Sequence, residues 1–305
     1  MTFGPVAASH QPDGMEGEHD NRRQVLMPKT SLSYRVVELP PSRRETHNYL
    51  DLYRWKHSIY ALLEADVTAA REFIEEHKAR TSEALSFTGY LAFCLGRAVD
   101  EDKSVQAYPK GRKHLVIFDD VDVFLPVERE VGATRAAIPY IIRGANHKSY
   151  LEIHREIRAF QTQPLQPGSG MPAAFRFMMA TPWPLPRLFI RLIRVVGRRD
   201  PTRLVTAAGT VGVTALGMAG GGGGWGLAPA GQSILLIVGG IARKAAVIDE
   251  RVEPRDMLDL TVAFDHDVVD GAPAARFVKR LVELIESGYG LEEARTNGPR
   301  LSAAD

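Results

Sequence analysis

The spacing of apolar residues along the chain has two periods, one typical of strands and one typical of helices. Period-two alternation, or a short apolar run bounded by turn residues, predicts strands over 114–118, 121–128, 136–143, 210–216, 233–239 and 258–265. We expect the acidic turn Asp119-Asp120 to join the first two. Helical spacing predicts helices over 87–99 and 273–286, and one that starts at Ser149 with a capping box to Glu152. Residues 66–78 are predicted to be the end of a strand that runs into a helix. The pattern therefore predicts one mixed α/β domain.

The polarity of the chain changes at both ends and once in the middle. Residues 1–30 are polar, rich in Gly, Pro, His and Asp, and without periodicity, which predicts a disordered tail. We expect the folded domain to span 31–290 and a C-terminal tail to occupy 291–305. Within the domain, 163–205 begins as a Pro- and Gly-rich linker and continues with mixed apolar residues, arginines and prolines.

Charge and composition narrow the classes of function. The 38 basic and 37 acidic residues give a net charge of +1, and so no electrostatic reason to expect a nucleic-acid partner. The single cysteine, Cys94, excludes an internal disulfide and a multi-cysteine zinc site, and its helical spacing with Leu91 and Leu95 predicts a buried thiol. Four further histidines lack metal-ligand spacing, so we expect no metal: His10, His19, His147 and His154. Without a long apolar run or a signal peptide, we expect a cytoplasmic protein.

The most informative stretch is LDLTVAFDHDVVDGAPAARF, at the end of the last predicted strand. Alternation places His266 at the end of the strand face that also carries Val262 and Phe264. A buried neutral imidazole keeps a basic nitrogen, because desolvation disfavours the imidazolium ion. Asp270 follows four residues later, and Gly271 would permit a tight turn into the next helix. The spacing alone fits two interpretations, a catalytic base with an acidic neighbour, or a core histidine followed by a helix-capping aspartate.

The motif HDVVDG has the His-x-x-x-Asp-Gly form of chloramphenicol acetyltransferase and of the dihydrolipoamide acyltransferase catalytic domains of 2-oxo acid dehydrogenase complexes, and FDHDVVDGAPAARFVKRL resembles the latter closely. Two further blocks resemble the same family, GTVGVTALGMAGGGGGWGLAPAGQSILLIVGGI and DDVDVFLPVEREVGATRAAIPYIIRGANHKSYLEIHREI. The segment SRRETHNYLDLYRWKHSIYALLEADVT is more similar to the start of chloramphenicol acetyltransferase. The resemblance covers about 34–290, with 163–205 as an insertion.

This resemblance implies a fold and a set of roles. It implies a chloramphenicol acetyltransferase-like mixed-sheet domain that forms a trimer, with the active site between subunits. His266 matches the general base, and Thr214 stands where the family has a serine that stabilises the oxyanion. The alternative for Thr214 is an ordinary β-branched strand residue.

The resemblance also implies a support for the site. Asp270 matches a structural aspartate that pairs with an arginine from the start of the domain; Arg44 fits that arginine and Arg43 is a near alternative. Two solvated arginines are the other interpretation. Asp267 departs from the pattern, since the dehydrogenase-complex enzymes usually have arginine there, and this puts their lipoyl or coenzyme A contacts in doubt.

The function implied is acyl transfer between a thioester and a thiol, hydroxyl or amine acceptor. The acyl donor would be a coenzyme A thioester, or a lipoyl group on another chain, because no lipoyl-lysine hairpin is present. We therefore expect a stand-alone acyl-CoA acyltransferase, as a homotrimer or an assembly of trimers. A transacylase core subunit that uses a separate lipoyl-bearing protein is the alternative, and a non-catalytic trimeric assembly subunit is a third possibility.

Two segments remain outside this interpretation. Residues 175–200 combine aromatic and apolar residues with six arginines, which fits either a packing arm or lid or a basic helix on a membrane surface. Pro182, Pro184 and Pro186 argue against one continuous amphipathic helix. The run 220–224 is all glycine, but it lacks the Gly-Lys-Ser/Thr of a phosphate loop and is expected to be a turn.

Overall fold

A computed structural model describes residues 50–51, 56–131, 134–164, 185–216 and 222–296 of the chain. The tail 1–30, both arginines proposed to pair with Asp270, most of 163–184 and residues 297–305 lie outside these ranges. The strands are β1 (Ser58–Asp66), β2 (Tyr108–Lys110), β3 (His114–Val116), β4 (Val123–Val131), β5 (Thr134–Ile142), β6 (Val211–Ala215), β7 (Ile234–Ile248) and β8 (Arg251–Asp265). The helices are α1 (Thr68–Thr81), α2 (Phe87–Glu101), α3 (Tyr150–Thr162), α4 (Leu185–Arg199), α5 (Pro201–Ala208), α6 (Gly271–Glu286) and α7 (Leu291–Thr296).

Six strands form one mixed sheet in the order β1-β8-β7-β6-β4-β5. β6 is parallel to both of its neighbours, whereas the other pairs are antiparallel. This arrangement confirms the mixed-sheet α/β prediction. β8 lies between β1 and β7, so its C-terminal end is held by hydrogen bonds on both sides.

The second half of β8 is buried on both faces. Val262 and Phe264 belong to the main apolar core, and the Phe264 ring packs edge-on against Phe277 of α6. The alternate residues of the strand, including Asp259 and Asp265, point to the opposite face and are buried as well. Two carboxylates are therefore removed from water on one face of this strand, where each requires a compensating partner.

The two strands predicted on either side of Asp119-Asp120 belong to different sheets. Residues 114–116 and 123–131 are both strands, but they do not pair across the Asp119-Asp120 turn. β3 pairs instead with β2, because Gly111 has a φ of +69° and makes the shorter turn. The bend at 119–120 is bound to other parts of the chain; for example, the Asn146 side chain accepts a hydrogen bond from the Val121 amide at 2.9 Å.

Helix boundaries mostly follow the capping signals. Ser149 and Glu152 form the predicted capping box at the start of α3. The assignment of 291–305 to a tail is wrong at its start, because α7 buries Leu291 and Ala294 against the core. The prolines do not prevent a helix after 184, since Pro186 lies in the first turn of α4, where no helical hydrogen bond is lost. Within the described residues, no helix is long and apolar enough to cross a membrane.

Candidate active site

His266 lies immediately after β8, in a turn that leads to α6. Its Nδ1 is 3.0 Å from the Val269 carbonyl oxygen. Because a carbonyl oxygen only accepts, this contact assigns the ring proton to Nδ1 and leaves the lone pair of Nε2 available. The side chain is 45% exposed, so a substrate can reach it. The ring is thus oriented as a general base requires.

Asp265 holds the turn that carries His266. Its main-chain carbonyl accepts from the Val268 and Val269 amides at 2.9 and 3.0 Å. One oxygen of its side chain accepts from the Asp267 amide at 3.2 Å, and the other is 2.9 Å from the Lys56 ammonium. The Val269 carbonyl that orients the imidazole is therefore fixed through Asp265.

The start of β1 forms the other wall of the turn. The His57 carbonyl accepts from the His266 amide at 2.7 Å. The His57 ring contacts the Asp267 carboxylate, with 2.9 Å between Nδ1 and Oδ1. Asp267, at the position where the resemblance predicts arginine, thus has a partner in the same subunit.

Asp270 occupies the N-cap position of α6, but its side chain makes no capping hydrogen bond. Its carboxylate is 88% exposed and lies 3.8 Å from His266 Nδ1, beyond hydrogen-bonding distance. The expected pairing with Arg44, or with Arg43, lies outside the described residues. Gly271 is not needed for the turn within this chain, because its φ is not in the left-handed region and an added Cβ would meet nothing within 4 Å.

Thr214 is not brought next to His266 by the fold of one chain. It lies on β6 opposite Ile237 of β7, which lies opposite Thr261 of β8. Two strand spacings and the five residues from Thr261 to His266 separate the two Cα atoms by about 19 Å. A single subunit therefore holds the predicted base and the predicted oxyanion donor apart.

Other candidate groups are engaged in structure. Cys94 is a free, fully buried thiol, and burial raises its pKa to about 12, which fits the predicted core position. In the part of the glycine run that is described, the Gly224 amide donates to the Asp259 carboxylate. An added Cβ at Gly240 would lie 2.1 Å from the Gly222 carbonyl oxygen, so this loop is packed against β7. No group of three or more metal-ligating side chains occurs among the residues described.

Sequence reasoning did not identify Lys56, His57 or Asp265 as site residues. Asp265 had a signal, since it is an acid at the end of a predicted strand, directly before His266. Lys56 and His57 had none, because the pairing of β1 with β8 joins the two ends of the domain.

Part of the chain is similar in sequence to known proteins. Residues 204–291 match the family model for the 2-oxoacid dehydrogenases acyltransferase (catalytic domain). The chain is 24% identical over 216 residues to the dihydrolipoyllysine-residue acetyltransferase component of the pyruvate dehydrogenase complex of Rickettsia conorii. That match covers 71% of this chain but only 43% of the relative.

Solved structures show the same fold. The dihydrolipoamide acetyltransferase of Azotobacter vinelandii superimposes with a TM-score of 0.60 at 18% identity, over 85% of this chain and 94% of that one. A truncated catalytic core of the 2-oxoacid dehydrogenase complex from Thermoplasma acidophilum gives 0.57 at 19% identity, over 84% and 100%. The Azotobacter structure was determined to investigate a serine, a histidine and an asparagine in the catalytic mechanism.

The family match contains Thr214, His266 and Asp270, the three residues predicted for catalysis. In the Azotobacter protein, the serine and the asparagine stand at the same sequence separations from the histidine as Thr214 and Asp270 do from His266. The resemblance predicted from the sequence is confirmed over residues 204–291, which match the model of the 2-oxoacid dehydrogenases acyltransferase catalytic domain, and the chain has the fold of the catalytic cores to which it is similar.

Proposed function

We propose that this protein transfers acyl groups between thioesters and thiols, with His266 as the general base. The observation that carries the proposal is the hydrogen bond from His266 Nδ1 to the Val269 carbonyl, which leaves Nε2 free at an exposed strand end. Imidazole, with an ordinary pKa of about 6.5, can remove a thiol proton at neutral pH. General-base catalysis of this kind contributes about 10²–10⁴ in rate.

The reaction follows from the free nitrogen. Nε2 takes the proton of the acceptor thiol, and the sulfur attacks the thioester carbonyl carbon to form a tetrahedral oxyanion. Collapse of that adduct breaks the bond to the original sulfur, which leaves as a thiolate and takes the proton back from the imidazolium ion. No oxidant, metal or additional reactant is needed for this exchange.

Thr214 of a second copy is our proposal for the oxyanion donor. Stabilisation requires a donor within about 3 Å of the oxyanion, which the separation of about 19 Å within one chain does not allow. Exposed apolar side chains in the segment that follows β6 in the chain support a subunit contact: Leu216, Trp225 and Leu227 are 51%, 43% and 63% exposed. The solved relatives include the cubic core of a pyruvate dehydrogenase complex, and we propose a homotrimer as the basic unit here.

The substrates proposed are coenzyme A and a dihydrolipoyl group on another chain. The chain spans less than half the length of the Rickettsia relative, whose name specifies a lipoyllysine residue as its substrate. That name favours the lipoyl-dependent transacylase over the stand-alone acyl-CoA enzyme expected from the sequence. Asp267 and its partner His57 stand beside the base where the family usually has arginine, so binding of the thiol substrates here uses different contacts.

The test is thioester exchange with a panel of acyl-CoAs, with and without a free lipoyl domain. We expect acyl transfer that requires the lipoyl domain and a loss of about 10² or more in rate in His266→Ala. Circular dichroism and oligomer size must match those of the unmodified protein. Near-normal turnover in a folded His266→Ala variant would contradict the proposal. Absence of exchange in the unmodified protein with every donor would favour the non-catalytic assembly subunit.

A further inference from the structure

A buried ion pair lies directly behind the turn that carries His266. Lys56 Nζ is 2.9 Å from Asp265 Oδ2, and the two side chains are only 6% and 1% exposed. The ammonium group also donates to the Gln232 carbonyl at 3.1 Å and lies 5.3 Å from the centre of the Tyr108 ring. The two residues also line a pocket whose walls include Arg194 and Arg198 of α4.

Burial of this ion pair costs free energy that the pair itself does not clearly recover. Burial lowers the pKa of the Lys56 ammonium, and the neighbouring Asp265 carboxylate opposes that shift. Removing two charges from water costs several kcal/mol, and apolar residues of the same volume often stabilise a protein at least as well. Stability is therefore a poor explanation for the pair.

Asp265 connects the pair to the imidazole. Its side chain accepts from the Asp267 amide, and its carbonyl accepts from the Val269 amide. The Val269 carbonyl then accepts from His266 Nδ1. In the described part of the chain, Lys56 is the cationic side chain within ion-pair distance of Asp265.

We propose that Lys56 is a positioning residue for His266, acting through Asp265. The ammonium fixes the carboxylate that organises the 265–269 turn, and it neutralises a negative charge one residue from the base. This inference rests on the proposed function only in naming His266 as the base; the geometry that it explains is independent of the reaction.

Several other charged groups face His266. The experiment must separate their effect on the ring from the effect of Lys56 and Asp265. On the turn itself these are Asp267 and Asp270, the latter 3.8 Å from the ring. From the start of β1, His57 pairs with Asp267. Asp267 also interacts electrostatically with Lys56, and Arg194 and Arg198 of α4 line a pocket together with Lys56 and Asp265. The single variants must therefore be compared with the combined variant, which isolates the Lys56–Asp265 pair.

The test is a double-mutant cycle with Lys56→Met, Asp265→Asn and the combined variant, read by the pH dependence of kcat/KM. Lys56→Met leaves the negative charge of Asp265 unbalanced, and this charge stabilises the imidazolium ion of His266. The acid limb of the kcat/KM profile should therefore move to higher pH by about half a unit. Asp265→Asn leaves an unbalanced positive charge and should move the limb down. The combined variant, with neither charge, should return close to the unmodified protein.

The KM and kcat values give a second readout. Loss of the fixed turn should lower kcat about tenfold in Lys56→Met while KM changes by less than about twofold, because the base and not the binding surface is displaced. Titration of the His266 ring protons by NMR should show the same opposite shifts in the two single variants. That measurement does not depend on activity, so it decides the role of Lys56 even if the proposed acyl transfer fails.

Lys244→Met is the matched control. Lys244 contacts Asp259 at 3.2 Å on the same face of β8, and that carboxylate is also 1% exposed. We expect it to destabilise the protein without moving the acid limb or the His266 titration. Single variants that shift in the same direction, or by no more than the control, would overturn the proposal. If Lys56→Met does not fold, the comparison of Asp265→Asn with the combined variant decides it, since equal acid limbs in these two variants would contradict the coupling.

Discussion

His154 and His266 are two histidines whose rings are held by the main chain in opposite ways. The His154 side chain is 1% exposed, its Nδ1 accepts from the Ser86 amide at 3.0 Å, and its Nε2 is 2.9 Å from Glu83 Oε1. His266 is 45% exposed, and its Nδ1 donates to a carbonyl. The main-chain partner therefore selects the tautomer in each ring.

The difference shows why one ring suits catalysis and the other suits the core. His154 uses both nitrogens to join α3 to the segment before α2, so no lone pair is left for a substrate. His266 uses one nitrogen for orientation and leaves the other open. Burial lowers the pKa of His154, which keeps the ring neutral in the fold, although Glu83 opposes that shift. A histidine becomes a candidate base here through one open nitrogen, not through burial.

The largest effect expected concerns Thr214, the proposed oxyanion donor for the site of His266. Thr214→Ala should lower kcat by about 10²–10³, as expected for a lost oxyanion donor, with little change in melting temperature. Because the site lies between copies in our proposal, mixing unfolded Thr214→Ala and His266→Ala chains and refolding them together should restore activity. In randomly mixed trimers, roughly a quarter of the interfaces carry both intact residues.

Each variant refolded alone serves as the control for that mixture. Activity that stays at the level of the single variants, in trimers shown to be mixed by mass, would contradict an intersubunit site. A kinetically silent Thr214→Ala would contradict the assignment of the oxyanion donor itself.

The sequence predicted the parts of this comparison that depend on local pattern. Alternation in β8 placed His266 at a strand end, and the Ser149–Glu152 capping box positioned the helix that carries His154. It could not show that both nitrogens of His154 are used, because their partners Ser86 and Glu83 are 68 and 71 residues away along the chain. For the same reason it could not show that Lys56 lies behind the turn that orients His266. Sequence spacing also suggested a role for Gly271 that the geometry does not support, since turn chemistry depends on φ and not on residue type alone.

The second prediction concerns the effect of His154 on the pH dependence of stability. In the unfolded chain, His154 takes up a proton near pH 6.5, whereas its pKa in the fold is lower. The contribution of His154 to the free energy of unfolding should therefore be fully present above about pH 6.5. It should fall as the pH decreases toward the pKa of the folded state, with a slope of up to about 1.4 kcal/mol per pH unit. Urea unfolding between pH 5 and 7.5 measures this slope.

Two variants sharpen that measurement. His154→Gln should lower the free energy of unfolding at pH 7.5 by about 1–3 kcal/mol, because the Ser86 amide and Glu83 lose a buried partner. It should also reduce the slope below pH 6.5. His266→Gln is the control, because it leaves the contacts of His154 with Ser86 and Glu83 in place. An unchanged slope in His154→Gln would show that another group controls the acid response.

The smallest effect expected is on the selectivity for acyl groups of different size. It tests whether helix α4 contributes to substrate binding at the His266 site. α4 and α5 cover a pocket that β2 also lines, with Ile193, Leu204 and Pro109 among its apolar walls. Lys56 and Asp265 also line the pocket, so it reaches the residue before the base. From this position we propose that helix α4 helps to bind a bulky apolar part of the acyl group or acceptor.

Ile193→Trp should fill part of this pocket. We expect the KM for long or branched acyl groups to rise about five- to tenfold, while acetyl transfer changes little, because one or two lost methylene contacts are worth about 1–2 kcal/mol. Leu192→Trp is the control, since Leu192 is the adjacent residue on α4 and is 57% exposed. Equal effects of the two variants on all acyl groups would contradict a role for the pocket in selection. Binding to anionic liposomes that Leu192→Trp strengthens, with no kinetic change in either variant, would instead favour the membrane-surface interpretation of this helix.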